Sequence, residues 1–319
     1  MKKFIIKEND AGQRLDKFVI KALPMLPVSM LYKAIRQKNL KLNGKRAQIS
    51  SRLNTDDIIE IYLKDDILGA ESSGQAEKYD FLSAPALISV IYEDENILLC
   101  DKKQGLIVHP DKNNYNDNLL FRIQHYLYDK GEYNPQNEQS FSPALANRID
   151  RGTGGIVIAC KTAEALRIMN EKIKQRELLK SYYCLVHGCP RKSSDAIKSY
   201  LFKDAKKNKV YISKETQKGA QLAVTEYSVL RKKDDMSLLD INIITGRTHQ
   251  IRVQLASIGH PLVGDGKYGK QKDDKHLGFN RQALYCYKIG FRFSSEAGIL
   301  DYLNNMDFTV KNIWFVDEF

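Results

Sequence analysis

Hydrophobic side chains near the start of the chain recur at helical spacing. Leu15, Phe18, Val19 and Leu23 fall on one face of a helix. Pro24 follows directly and would end that helix, because proline lacks the backbone N–H that helix continuation needs. The pattern predicts one short amphipathic helix whose apolar face packs into a core.

A second helix and a short sheet are predicted after it. We expect Ser29 to cap a helix over residues 30–35. The alternating residues 40–42 lead into Asn43-Gly44, a dipeptide typical of tight hairpin turns. Alternation over residues 59–63 predicts the last strand. These elements would form a small αβ module over residues 1–66.

The hydrophobic pattern then stops. Residues 67–84 are rich in glycine, serine and alanine and show no period, a composition typical of a flexible linker. We therefore place a domain boundary here and expect a larger domain over residues 85–319.

The larger domain mixes strands with scattered helices and lacks regular βαβ alternation. Its predicted elements are a hairpin over 88–92 and 97–100, a buried strand over 155–159, a helix through 166–173, a half-buried strand over 239–243, and a helix capped by Thr248 that carries Ile251, Leu255 and Ile258. This arrangement predicts an α+β fold with a mixed, largely antiparallel sheet.

Charge adds a candidate binding face to the small module. The 319 residues include 50 Lys and Arg against 39 Asp and Glu, a net charge of +11. Between Asp16 and Asp56 the chain has nine basic residues and no acidic one. A run of this length favours a phosphate-binding face over an ordinary solvated surface. The candidate contacts are Lys33, Arg36, Lys38, Lys45 and Arg46.

Cysteine and histidine usage narrows the class of protein. Five cysteines without a C-x-x-C pair argue against a disulfide framework and a zinc ribbon, and favour a reducing compartment. The six histidines show no metal-binding spacing, so we expect no metal. No apolar run approaches the roughly 18–20 residues of a membrane span, and no signal peptide is evident. We expect a soluble, cytoplasmic protein.

The densest polar cluster is Asn147 to Gly155. Asp150 lies between Arg148 and Arg151, and the glycines that follow allow a ligand to approach the backbone closely. Flanking guanidinium groups favour the anionic carboxylate, which suits a nucleophile better than a general acid. The alternative is a loop aspartate in ordinary surface ion pairs.

A second cluster, Thr245 to Arg252, lies at a predicted strand-to-helix junction. Free backbone N–H groups at such a junction favour an anion. Arg252 could place its guanidinium as a two-pronged fork on a carboxylate such as Asp150. Simple phosphate or carboxylate binding is the alternative, and spacing alone leaves both open.

Two further motifs have ordinary structural explanations. Tyr182 lies in a β-prone run, where most tyrosines are packing residues. Residues 264–269 satisfy G-x-G-x-x-G, but they follow a predicted helix end and lead into a polar, unpatterned stretch. A dinucleotide-binding fingerprint must follow a strand and open a helix, so we expect no NAD site.

The motifs together resemble the RluA-type pseudouridine synthases, which isomerise uridine to pseudouridine in structured RNA. The similarity covers about residues 88 to 293. It is carried by Leu98 to Pro110, the Arg148-Ile149-Asp150-Arg151 core, Lys180-x-Tyr182, the blocks 245–252 and 259–265, and Arg281-Gln282-Ala283-Leu284. Residues 12 to 66 also resemble a small RNA-binding module of a ribosomal small-subunit protein that is often fused to these enzymes.

The resemblance implies roles for individual residues. Asp150 would be the catalytic aspartate, Arg252 its salt-bridge partner and Tyr182 the residue against the target base. Arg148 would help fill the space left by a flipped nucleotide. Asn147 replaces the family's usual histidine, and Gly154 its usual serine. The remaining candidate RNA contacts in this domain are Asn147, Arg151, Arg247 and His249.

The resemblance also implies an enzyme that needs no cofactor. We expect large-subunit ribosomal RNA as substrate, no membrane partner, and a monomer. Two alternatives stay open: the same chemistry on tRNA, and a non-catalytic ribosome-binding or assembly factor. The sequence also leaves open whether Asp150 attacks the sugar or the uracil ring.

Overall fold

The computed structural model describes residues 1–63, 79–111, 115–213, 217–269 and 271–319. The linker expected at 67–84 therefore lies largely outside the described residues. The chain forms two compact units. The first comprises residues 1–87, 110–144 and 160–167, and the second comprises residues 88–109, 145–159 and 168–319. No helix among the described residues is long and apolar enough to cross a membrane.

The first unit contains a small four-stranded sheet with order β1-β4-β2-β3. Its elements are β1 (Lys2–Ile5), α1 (Leu15–Ala22), α2 (Val28–Arg36), β2 (Leu40–Leu42), β3 (Lys45–Arg46), β4 (Ile58–Ile61) and the later helix α3 (Leu119–Asp129). Leu15, Phe18 and Val19 are fully buried in the core of this sheet, as their helical spacing predicts. Asn43 and Gly44 both have positive φ, the conformation that a type I′ hairpin turn requires.

Buried polar contacts complete the first unit. Arg14 places two nitrogens on the Asp16 carboxylate, each at 3.0 Å. The Ser140 hydroxyl, beyond α3 in the chain, donates to the buried Asp10 carboxylate at 2.6 Å and accepts from Gln13 at 2.7 Å. The compact unit therefore joins the sheet of the small module to residues that come much later in the chain.

The second unit contains an eleven-stranded sheet. Its central order is β11-β10-β12-β13-β9-β14-β8-β6-β5, while β15 pairs with β14 and β7 with β8. The strands are β5 (Val90–Glu93), β6 (Ile97–Lys102), β7 (Ala144–Leu145), β8 (Gly154–Cys160), β9 (Leu178–His187), β10 (Ser194–Asp204), β11 (Lys209–Ser213), β12 (Gln221–Lys233), β13 (Met236–Ile243), β14 (Leu284–Phe291) and β15 (Asp307–Thr309). The remaining α-helices in the part of the chain that the structure describes are α4 (Ala163–Lys174), α5 (Gln250–Ser257), α6 (Gln271–Asp274) and α7 (Trp314–Asp317).

Strand pairing in this sheet is largely antiparallel, and β8 pairs with β14 in parallel. Every residue of β8 is buried, which explains its continuous apolar sequence. The α+β fold class is therefore confirmed, as is the small N-terminal αβ module.

Two predicted helix caps are wrong. Helix α2 begins at Val28, with Pro27 at the N-cap position, so Ser29 lies inside the helix. Helix α5 begins at Gln250, with His249 at the N-cap position and no side-chain cap. Thr248 thus lies one residue too early, and Ile258 lies just beyond the helix end. Proline at α2 and a buried side-chain network at α5 decide where these helices begin.

Candidate active site

A cleft of about 500 Å³ opens in the second unit. It lies among the loop that precedes β8, strand β9, the end of β13 and the first turn of α5. Its volume is within the range of pockets that bind small ligands. Asp150, Arg252 and Tyr182, far apart in the sequence, all line this cleft.

The loop that carries Asp150 is fixed at both ends. Upstream, the Asn147 side-chain oxygen accepts a hydrogen bond from the backbone of Ile158 in β8 at 2.8 Å. Downstream, the Thr153 N–H donates to the Asp150 carbonyl at 3.0 Å, which closes a tight turn. Gly155 then has φ +112°, and a Cβ there would lie 2.2 Å from the Cys286 carbonyl oxygen. Glycine is required at that position because a side chain would collide with β14. The close parallel pairing of β8 with β14, which glycine permits, then positions the loop.

Arg252 contacts two carboxylates at once. Its Nη1 donates to Asp150 at 2.9 Å. Its Nε and Nη2 donate to the two oxygens of Asp265, at 2.7 and 2.9 Å. The prediction that Arg252 forks onto Asp150 is therefore wrong in its geometry. The two-pronged contact goes to Asp265, and Asp150 receives a single charge-assisted hydrogen bond.

Asp265 is a site residue that the sequence reasoning missed. Its side chain is fully buried, and it also accepts hydrogen bonds from the backbone N–H groups of Lys267 and Tyr268, at 2.8 and 3.1 Å. Burial disfavours the carboxylate, but the contacts from Arg252 outweigh it and hold the pKa of Asp265 below its usual value. The available signal was an aspartate between two glycines, Gly264 and Gly266, in the segment that mimics a dinucleotide fingerprint.

The same contacts keep Arg252 charged. Its side chain is only 8% exposed, and burial by itself works against the charge. Asp265 and Asp150 outweigh burial and raise the pKa of Arg252 above its usual range. A permanently charged guanidinium thus links a buried carboxylate to one that faces the cleft.

The turn before α5 is held by a buried amide. The Gln250 side-chain oxygen accepts from the Arg247 N–H at 3.0 Å and from the Thr245 hydroxyl at 2.8 Å. Its side-chain nitrogen donates to Thr225 at 2.8 Å and to the Val224 carbonyl at 3.0 Å. Gln250 therefore organises the strand-to-helix junction, the role that the sequence had assigned to Thr248.

Tyr182 lies on β9 and is almost fully buried. Burial raises the pKa of its phenol well above the usual value. The side chain therefore stays neutral and offers the cleft an aromatic surface. Lys180, two residues earlier on the same strand, also lines the cleft, and burial lowers its pKa.

The lining of the cleft is strongly basic. Asp150 is its one acidic residue among the described residues, whereas six are Lys or Arg. The six are Arg148, Lys174, Arg176, Lys180, Arg247 and Arg252. Such a surface favours a polyanion whose backbone passes the mouth of the cleft.

The other predicted contacts of this unit divide into two groups. Arg148, Asn147, Arg247 and His249 line the cleft. Arg151 does not line it, and its Nε instead donates to the Gly105 carbonyl at 3.1 Å. Arg247 also donates to the Leu222 carbonyl at 3.2 Å, so its side chain is partly fixed.

The predicted contacts of the small module lie on the first unit. Lys33 and Arg36 are exposed on α2, and Lys38 follows that helix. Lys45 and Arg46 are exposed on β3, just after the hairpin turn. All five side chains are open to solvent, as a phosphate-binding face requires.

Two known protein families match parts of this chain. Residues 96–257 match the RNA pseudouridylate synthase family, and residues 13–59 match the S4 domain. The chain therefore belongs to the RNA pseudouridylate synthase family and is an isomerase that acts on RNA.

Relatives match over nearly the whole chain. An uncharacterized RNA pseudouridine synthase of Mycoplasma genitalium is 34% identical over 98% of this chain and 97% of its own length. Ribosomal large subunit pseudouridine synthase C of Haemophilus ducreyi is 30% identical over 97% of this chain and 93% of its own length. The resemblance to RluA-type enzymes is thereby confirmed.

A solved structure shares the fold at lower identity. Human RNA Pseudouridylate Synthase Domain Containing 1 matches with a TM-score of 0.55 and 18% identity, over 71% of this chain and 84% of that one. This similarity supports the assignment of the fold and nothing further.

Proposed function

We propose that this protein converts specific uridines of large-subunit ribosomal RNA to pseudouridine, with Asp150 as the catalytic carboxylate. The observation that carries the proposal is the single hydrogen bond from buried Arg252 to Asp150 at the cleft, at 2.9 Å. Asp150 is 24% exposed, so its carboxylate is both held by a cation and open to a ligand.

The reaction breaks the bond between uracil N1 and ribose C1′, turns the base, and joins uracil C5 to C1′. One proton is lost from C5 and one is gained at N1, so no electrons enter or leave. Attack by the carboxylate on the sugar and attack on the uracil ring both need an anion with one oxygen free. Asp150 meets that need, because the single bond from Arg252 engages only its Oδ2.

A uridine inside a folded RNA must leave its stack to reach Asp150, at a cost of a few kcal/mol. The cationic lining of the cleft would supply binding energy through the flanking phosphates. Arg148 is exposed at the cleft next to Asp150 and suits the proposed role of filling the vacated space.

Tyr182 would contact the face of the flipped base. Its phenol is buried and its pKa is well above the usual value. A neutral phenol serves stacking better than proton abstraction, so we assign Tyr182 to holding the base.

Two observations favour ribosomal RNA as the substrate. Several relatives with near-complete coverage are named ribosomal large subunit pseudouridine synthase C, among them the proteins of Haemophilus ducreyi and Haemophilus influenzae. The match to the S4 domain and the exposed basic residues on α2 and β3 suit binding to a large RNA. Modification of tRNA is the second candidate, since it needs the same chemistry.

The test is to map pseudouridines in total RNA from a strain that lacks the protein. Carbodiimide labelling and primer extension would compare it with wild type and with strains complemented by the wild-type or Asp150→Asn gene. We expect particular large-subunit uridines to lose modification and to regain it only with the wild-type gene. Loss confined to tRNA would overturn the substrate assignment. No loss at any position, with redundant enzymes deleted, would favour a non-catalytic ribosome-binding factor.

A further inference from the structure

His249 has a backbone conformation that residues other than glycine adopt infrequently. Its φ is +53° and its ψ is 21°, in the left-handed region, at the position just before α5. Strain of this kind persists only where surrounding contacts impose it, and such sites often belong to the functional machinery. The conformation aims the imidazole into the cleft, where Nε2 lies 3.9 Å from Asp150 Oδ2.

The other ring nitrogen of His249 is bound to Tyr268. The distance from His249 Nδ1 to the Tyr268 hydroxyl is 2.9 Å. That hydroxyl already accepts the Val210 backbone N–H at 2.9 Å. Its own hydrogen is then available to donate to Nδ1, which requires an unprotonated Nδ1. With the hydrogen assigned in this way, the proton of a neutral imidazole is on Nε2, the nitrogen nearer to Asp150.

Tyr268 is itself held firmly. Its ring packs against two cations, with Lys209 Nζ at 5.4 Å and the Arg252 guanidinium carbon at 5.3 Å from the ring centre. The adjacent Lys267 donates through Nζ to the Asn208 carbonyl at 2.6 Å. The start of β11 thus fixes Tyr268, and Tyr268 fixes the imidazole.

We propose that His249 is a further catalytic residue, which presents a neutral Nε2–H to an uncharged oxygen of the flipped nucleoside beside Asp150. This inference rests on the proposed function. Tyr268 is a positioning residue that acts through His249. The distance of 3.9 Å from Nε2 to Asp150 Oδ2 exceeds that of a hydrogen bond, so Nε2–H can donate to a ligand oxygen that lies beside Asp150 in the cleft.

Neutrality of the imidazole matters to the chemistry. A protonated His249 would form a second ion pair with Asp150 and make the carboxylate a weaker nucleophile. Burial lowers the pKa of His249 to about 4, and the positive charges of Arg252 and Lys267 act in the same direction. Asp150 and Asp265 act in the opposite direction and are outweighed. The geometry therefore pairs one charged donor, Arg252, with one neutral donor, His249.

The test compares two isosteric replacements. The side-chain nitrogen of His249→Gln matches Nε2 and keeps a neutral donor there. His249→Asn matches Nδ1, tolerates the left-handed backbone, and removes the donor near Asp150. With large-subunit rRNA from a deletion strain, we expect His249→Asn to lower the single-turnover rate about 10²-fold, the typical effect of removing one preorganised donor. We expect His249→Gln to stay within about tenfold of wild type. Rates measured at saturating RNA separate this difference from any change in RNA affinity.

A second measurement tests whether Tyr268 positions the imidazole of His249 or contributes to folding alone. In ¹⁵N-histidine-labelled protein without RNA, we expect the Nε2–H tautomer of His249 at neutral pH, and a mixture of tautomers in Tyr268→Phe. An Nδ1–H tautomer in the wild type would overturn the inference, and so would wild-type turnover in His249→Asn. Absence of turnover in the wild type itself would overturn the proposed function, and this inference with it.

Discussion

Arg252 directs two of its nitrogens at buried Asp265 and a third at Asp150, which faces the cleft. The two-pronged contact therefore lies behind the carboxylate for which we propose the catalytic role. Asp265 fixes the plane of the guanidinium, and the guanidinium then fixes one oxygen of Asp150. Two of the three donating nitrogens of Arg252 bind Asp265, so only one is left to bind Asp150 and it contacts a single carboxylate oxygen.

Asp265 should accordingly matter for both turnover and stability. Asp265→Asn preserves shape but removes the charge that orients Arg252. We expect kcat to fall about 10²-fold, since small misplacements of reacting groups have effects of that size. We also expect the free energy of unfolding to fall by about 3 kcal/mol, because a buried pair loses one partner.

Single-turnover kinetics and denaturant unfolding would measure these effects. The matched control is Asp273→Asn, an exposed aspartate eight residues later, for which both quantities should stay near wild type. Equal behaviour of the two variants would contradict the role assigned to Asp265.

Arg252→Lys should also fail in catalysis. One ammonium group cannot span the fork to Asp265 and reach Asp150 as well, because it lacks the planar arrangement of donors. We expect kcat to fall by about 10²-fold or more while RNA affinity changes little. Arg247→Lys, at another arginine of the cleft, should retain most activity. Near-normal turnover of Arg252→Lys would show that the fork is dispensable.

The basic face of the first unit predicts a salt effect. Replacing Lys33 and Arg36 with Gln should reduce the slope of log affinity against log salt by about one for each phosphate that the protein no longer neutralises. Binding to large-subunit rRNA would be titrated over a range of salt concentrations. Lys232→Gln with Lys233→Gln, at exposed positions on β12, serves as control. An unchanged slope in the first pair would exclude that face as an RNA anchor.

His249 predicts a pH dependence of stability. The unfolded chain binds a proton on this residue below its ordinary pKa of 6.5, whereas the folded protein does so only near 4. Protons therefore favour the unfolded state between these values. The contribution of neutral His249 to the free energy of unfolding is fully present above pH 6.5. It falls by up to about 3 kcal/mol as the pH approaches 4.

Denaturant unfolding at a series of pH values would test this dependence against His249→Gln. The low pKa of Asp265 contributes acid sensitivity of the same sign in both proteins. We therefore expect a shallower pH dependence in His249→Gln rather than a flat one. Identical curves would contradict a neutral, buried His249.

Much of the fold was predictable because its signals are local. The period of Leu15, Phe18 and Val19 places α1, and Asn43-Gly44 places its hairpin turn. The cap predictions at Ser29 and Thr248 failed because competing contacts decide helix starts. Pro27 sets the start of α2, and the network around Gln250 sets that of α5.

The site was predictable in part. The resemblance named Asp150, Arg252 and Tyr182, and the fold brings all three to one cleft. Asp265 was missed because its partner is set by tertiary packing and because its loop resembles a dinucleotide fingerprint. The link from Tyr268 to His249 depends on a backbone N–H of β11, which no sequence pattern records.

The most direct test of the account is turnover by Asp150→Asn. Large-subunit rRNA transcribed with [5-³H]uridine releases tritium when C5 forms its bond to the sugar. We expect steady release with the wild type and none with Asp150→Asn, while both bind the RNA with equal affinity. Release by Asp150→Asn at a rate near that of the wild type would contradict the role of Asp150.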